Sequence, residues 1–176
     1  MRTTNGVRIL PVLLAAALAG CGGGTTEPGG VSVDCGPTGT VSANITGAVT
    51  ASLNGCSAFF VSTATPPGTT ISLVNGTFAA PTHSMALARQ GTRPGTGTYT
   101  IGTGAANWNG AFRFKSSPND RVFDLTSGSV TITASSSSTL SGTLSVVGTQ
   151  AIAGAPTVNI SGSFSAKCSP GGVTVC

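Results

Sequence analysis

The sequence predicts an all-β fold, and three observations carry that expectation. Apolar and polar residues alternate with a period of two through most of residues 40–168. Turn signals punctuate that alternation at short intervals, and no useful helical period appears after residue 21. Such a pattern points to antiparallel sheet, because successive side chains of a strand face opposite ways. The architecture expected is an antiparallel β-sandwich of roughly ten short strands, with a partly closed β-barrel as the alternative.

Val41, Ala43 and Ile45 alternate with Ser42, Asn44 and Thr46, and Val49, Ala51 and Leu53 with Thr50, Ser52 and Asn54. Asn54-Gly55 then reads as a type I′ hairpin turn, which needs positive φ at both central positions. The next run, Cys56 to Val61, is apolar on both faces and reads as a central or covered strand. Thr65-Pro66-Pro67-Gly68 is a loop, Ile71 and Leu73 open another strand, and Asn75-Gly76 turns it before Phe78. Met85 and Leu87 share one face of the following strand, and Gly91 to Gly97 is loop. Thr98 to Ile101 is a short strand ending in a turn at Gly102. Phe112 and Phe114 point inward with Arg113 and Lys115 outward, and residues 116–120 form a hairpin into Phe123 and Leu125. Val130, Ile132 and Ala134 give the cleanest alternation; Leu140, Leu144, Val146, Val158, Ile160, Phe164 and Ala166 continue it. Gly142 and Gly162 fall on the apolar parity, where glycine marks a bulge or a close backbone approach.

Composition narrows the function. Only 7% of residues are charged and 5% aromatic, while 39% are hydrophobic, which argues for a folded domain over disorder. The basic residues are scattered, with no stripe of the kind that tracks phosphates, so nucleic acid is excluded as a partner.

The N-terminal segment has its own pattern. Arg2 and Arg8 precede an apolar run from Ile9 to Ala19, and Leu18-Ala19-Gly20-Cys21 follows. A positive n-region, an apolar h-region and small residues before the cut describe a secretory signal peptide. Leu-Ala-Gly-Cys resembles the lipobox of bacterial lipoproteins. That resemblance implies cleavage before Cys21 and acylation of Cys21, hence a membrane partner through the lipid anchor. Residue 22 is Gly rather than Asp, which favours the outer membrane if the cell has two. The expected organisation is a lipoprotein signal peptide at 1–20, acylated Cys21 with a Gly-rich tether over 21–34, and a single β-sandwich domain over 35–176. Loss of Arg2 and Arg8 with the signal lowers the net charge from +4 to +2.

Three later segments carry a second resemblance. Gly97-Thr98-Tyr99-Thr100-Ile101-Gly102, Gly128-Ser129-Val130-Thr131-Ile132-Thr133 and Leu140-Ser141-Gly142-Thr143-Leu144 occur in this order. They resemble the pattern of a group of uncharacterised secreted bacterial lipoproteins with an all-β domain, and Val49 to Gly55 is similar to that group's opening strand and turn. The resemblance implies the fold and the envelope location, and no activity.

Chemistry-bearing residues are few. His83 is the single histidine, and Glu27, Asp34, Asp120 and Asp124 are the only carboxylates. Acid–base catalysis needs titratable groups brought together, and no Gly-x-Ser-x-Gly elbow or cofactor signature is present. The expectation is therefore no catalytic residues, no metal and no cofactor: a non-catalytic envelope protein acting through binding or structure. The alternatives are a carbohydrate-binding module, with Trp108 stacking on sugar, and a hydrolase with a site near His83 and Asp124. Trp108, between Asn107 and Asn109, reads first as a plug for the open end of the core. A glycan or another envelope protein is the expected partner.

Cys35, Cys56, Cys168 and Cys176 remain after Cys21. An even number in an exported chain implies two disulfides. Of the three connectivities, two join the N-terminal part of the domain to its C-terminal part, and one pairs neighbours. Cys168 shares the parity of Phe164 and Ala166 and is expected to face inward.

Overall fold

The computed structural model describes residues 38–64, 66–77 and 80–169, and within them the chain is strand and turn without helix. Nine strands follow in order: β1 (Gly39–Gly47), β2 (Ala51–Ala64), β3 (Pro67–Thr77), β4 (Ala80–Gln90), β5 (Gly97–Thr100), β6 (Asn109–Phe114), β7 (Arg121–Ser135), β8 (Thr139–Thr149) and β9 (Thr157–Cys168). Eight of them close into an antiparallel barrel. Neighbours pair in sequence from β1 to β4, then β4 with β6, β6 with β7, β7 with β8, and β8 with β9. Strand β9 returns to β1 from Thr40↔Ser165 to Gly47↔Val158. This is an up-and-down meander closed on itself.

Strand β5 shares an edge of β7 with β6. Gly97↔Ile132 to Thr100↔Ser129 lies further along β7 than Ala111↔Asp124 to Phe114↔Arg121. The two short strands therefore follow one path, interrupted by the loop of residues 101–108. Where β1 begins, β2 and β9 meet directly in parallel, over Phe59↔Lys167 and Phe60↔Cys168.

The all-β expectation holds, and the architecture is the barrel rather than the sandwich. The reason lies in pairing: the last strand meets the first. Strand β7 runs 15 residues and β2 runs 14, long enough to pair with both neighbours, and the β1–β9 ladder closes the ring so that no free edges divide it into two sheets. Two expected turns are absorbed into strands β2 and β3. Asn54-Gly55 lies inside β2 where its register against β1 slips, so that Gly39 faces Ala58 and Val41 faces Gly55. Asn75-Gly76 sits at a register shift within β3. Both glycines mark bulges, which curve a strand where a hairpin would reverse it. Phe78 lies outside the described residues.

The interior follows the sequence parity. Val41, Ala43, Ile45, Leu53, Phe60, Ile71, Leu73, Met85, Leu87, Phe112, Phe123 and Val130 are all buried in one apolar cluster. An eight-stranded barrel is just wide enough for side chains to fill. Ala134 departs from the pattern and is exposed, because the β7–β8 register shifts between Ile132 and Ala134. Cys168 is half-buried and packs against the core, as its parity predicts.

The outside is polar without being charged. Cross-strand register lines up Asn54, Ser42, Ser163, Thr143, Thr131 and Thr98 over six strands. A second row holds Ser52, Asn44, Ser161, Ser145, Ser129 and Thr100. Hydroxyls of neighbouring strands touch directly at Thr98–Thr131, 3.0 Å, and at Ser141–Ser165, 2.9 Å.

Two inward glycines permit close strand packing. A Cβ on Gly162 would sit 2.2 Å from the Ser42 carbonyl oxygen, and one on Gly142 would sit 2.1 Å from that of Thr131. Gly162→Ala is expected to lower stability by about 1–3 kcal/mol through the strain of overpacking. Gly95, with nothing near its missing Cβ, serves as control; Gly95→Ala is expected within about 0.5 kcal/mol of wild type. Urea unfolding midpoints of the two variants check this, and equal midpoints would contradict the close-approach account.

Candidate functional site

The described chain enters at Thr38 and leaves at Ser169, both at one end of the barrel, since Gly39 lies opposite Ala58 and Cys168 opposite Phe60. The opposite end gathers most of the polar chemistry. His83 occupies β4 on the same parity as Met85 and Leu87, and therefore points toward the barrel interior near that end. Register pairs it with Phe114, and the two rings stack at 4.5 Å with planes 5° apart. The Phe112 ring centroid lies 6.5 Å from that of the imidazole, tilted by 54°.

This apolar setting governs the imidazole. Burial pushes the His83 pKa below its ordinary 6.5, with the neighbouring Thr82 backbone partly opposing. Nδ1 is buried and makes no well-formed hydrogen bond among the described residues.

Beside His83, the β6 strand turns Arg113 outward, and Lys115 follows at the start of the hairpin. That hairpin brings Asp120 back against Arg113, whose Nε and Nη2 both donate to Asp120 Oδ2, the Nε bond at 3.0 Å. Arg113 is 62% exposed and Asp120 30%, so water screens the pair and it adds little stability. Its effect is to fix the guanidinium. Thr82, His83, Ser84, Arg113, Lys115 and Asp120 line one depression of about 190 Å³.

Asp124 does not join them. It is exposed, and its neighbours in β7, Phe123 and Leu125, are the buried ones. In register it faces Ala111 on β6 and Thr149 on β8. His83 thus points inward and Asp124 outward, three rungs apart along β6, and the hydrolase site expected near the two is not assembled. No group of three or more His, Cys, Asp or Glu side chains converges among the described residues.

Trp108 is fully buried, which corrects the sugar-stacking alternative and agrees with the plug reading. Its backbone is clasped by Thr100, whose carbonyl accepts from Trp108 N at 2.9 Å, and by Gly102, which donates to Trp108 O at 2.8 Å. Within the same loop, Thr100 Oγ1 donates to Asn107 Oδ1 at 2.9 Å. An indole enclosed this way offers no face to a ligand.

Two arginines that sequence reasoning left among the scattered basics act as clamps. Arg121 donates to Gln150 Oε1 at 3.1 Å and to the Ala48 carbonyl at 3.0 Å, and lies over the Phe123 ring at 5.1 Å. Near the chain exits, Arg89 donates to the carbonyls of Ala106 at 3.0 Å and Thr92 at 2.9 Å while covering Tyr99. An open concavity of about 610 Å³ adjoins Arg89, walled by Pro66, Pro67, Ala105 and Ala106. The available signal was position: each arginine sits at a strand terminus beside a loop with carbonyls to satisfy.

Cys21, Cys35 and Cys176 lie outside the described residues. Cys56 and Cys168 are described, and register separates them. Cys168 stands opposite Phe60, four residues along β2 from Cys56, which is roughly 13 Å of strand. A disulfide needs Cα atoms within about 7 Å, so the connectivity that pairs Cys56 with Cys168 is excluded.

The chain matches no protein-family model, no curated protein sequence and no solved structure.

The lowered pKa of His83 has a consequence for stability. The folded state resists protonating the ring, so the unfolded chain takes up the proton first as pH drops. The contribution of His83 is whole above about pH 6.5 and is lost as pH falls through the lowered folded value. Urea midpoints measured from pH 7.5 down to pH 5 are expected to fall in the wild type and to fall less in His83→Gln. Parallel curves would remove His83 from this account.

Proposed function

We propose that this chain is a lipid-anchored cell-envelope protein that acts through binding or structure and carries no catalytic centre. The observation that supports this reading best is the distribution of its side chains. The barrel interior is occupied by one apolar cluster, and the outer face of six strands presents rows of Ser, Thr and Asn. The titratable groups stand on opposite faces or are tied to a neighbour, as Asp120 is to Arg113. Hydroxyls donate and accept, so such a face suits hydrogen-bonded contact with a neutral glycan or an envelope protein. Trp108, being buried, takes no part in it.

The anchor reading rests on Leu18-Ala19-Gly20-Cys21. One acyl chain binds membranes only marginally, whereas two or three hold firmly. Expressed in a bacterial host, the full chain is expected in the membrane fraction and labelled by radioactive palmitate. Cys21→Ala is expected to lose the label and the membrane association together. Unlabelled wild-type protein free in the soluble fraction would overturn the anchor.

We also propose two disulfides in the exported domain. In support, four cysteines remain after Cys21, and Cys56 and Cys168 stand too far apart along their strands to bond each other. Cys35 and Cys176 then supply the partners, either as Cys35–Cys56 with Cys168–Cys176 or as Cys35–Cys168 with Cys56–Cys176. Mass spectrometry of an unreduced digest is expected to return one of these two sets. Free thiols, or a peptide joining Cys56 to Cys168, would refute the framework.

A further inference from the structure

We propose that the depression between His83, Ser84, Arg113 and Lys115 is a binding site for a small oxyanion group, a carboxylate or a phosphate. Three observations lead there, none of which depends on the acylation of Cys21.

The first is unused donor capacity. Arg113 gives Nε and one hydrogen of Nη2 to Asp120 Oδ2. Of the five N–H groups of a guanidinium, those on the Nη1 edge remain open, and that edge is the fork that receives two oxygens of one anion. The side chains of Lys115 and Ser84 make no hydrogen bond or ion pair among the described residues. Arg113, Lys115 and Ser84 thus line one hollow with donors unspent among the described residues.

The second is charge. Two permanent cations line the depression against a single carboxylate, Asp120. Asp120 already has a role: two donors of Arg113 converge on one of its oxygens, which holds the guanidinium in place. Across the hairpin Arg121 adds positive charge, although its own donors go to Gln150 and Ala48. The balance favours an anion.

The third is position. The described chain enters and leaves the barrel at the other end, and the depression lies at this one. Val122 and Ile152, 45% and 56% exposed, are the large hydrophobics that remain exposed among the described residues, and both belong to this end. Val122 is the register partner of Arg113 on β7. An occupant bearing an oxyanion finds apolar contact beside the cations.

The test is a titration of the purified protein with inorganic phosphate and, separately, acetate, at pH 7 and constant ionic strength, followed by backbone amide NMR. Saturable shifts are expected at Ser84, Arg113 and Lys115, with most of the remaining spectrum unmoved. Lys115 is exposed, so Lys115→Gln keeps the fold, and it is expected to weaken binding about tenfold, the scale of one charge-assisted hydrogen bond. Response to phosphate alone assigns a phosphoryl ligand, and response to both admits carboxylates. Shifts that never saturate, or that persist unchanged in Lys115→Gln, would overturn the site.

Discussion

The pairing of β1 with β9 is the contact on which the rest of the structure depends. An open eight-stranded sheet of this sequence would present two long edges and one wholly apolar face. Edge strands are usually guarded by lysine, proline or bulges, and the outer faces here carry few charges. Closure removes both liabilities at once: the unpaired backbone groups of β1 find those of β9, and the apolar face becomes an interior. The close approaches at Gly142 and Gly162 are part of the same constraint, since neighbouring strands must draw together for so small a ring to shut.

The resulting polarity is the reverse of a transmembrane barrel. Membrane barrels face lipid with an apolar band and keep polar residues within; this barrel is apolar within and hydroxylated without. Its surface is hydrated by neutral groups more than by ions. Threonine and serine also favour or tolerate extended backbone, so the same residues serve strand formation and wetting. The few charged side chains are then free to be local devices, as with Arg121 bracing a turn and Asp120 fixing Arg113.

The strands were legible because their signal is local. Val41-Ala43-Ile45 and Val158-Ile160 read inward from sequence and are inward in the barrel. Ring closure was not legible, because it joins residues more than a hundred positions apart, and no periodicity reports which strands meet. Asn54-Gly55 misled for a physical reason: the positive φ that a tight turn requires also suits a bulge, and Gly55 has it at 122°. Only the partner strand decides between the two. For the candidate site, the sequence marked His83 and Asp120 as chemically notable but drew attention to Asp124 as well. Parity within β7 sets Asp124 on the face opposite His83, three rungs away along β6, while the β6–β7 hairpin and the β4–β6 register bring Arg113 and Lys115 alongside. Arg113 and Lys115 were read as outward-facing residues, and that is how they come to line the depression.

The meander has one more consequence. Every strand of the ring lies beside the next one along the chain, and the last lies beside the first. Topologically the barrel has no beginning. The two points where the described chain enters and leaves the ring are neighbours at one end, flanking the place where β2 and β9 touch. A short bridge there, with a cut at the exposed serines 136–138 between β7 and β8, would yield a permuted chain with every strand pair kept. What such a chain would change is the order of folding: the β1–β9 contact, now the most remote in sequence and so the slowest to form, would become a local hairpin, and β7–β8 would inherit the task of closing the circle.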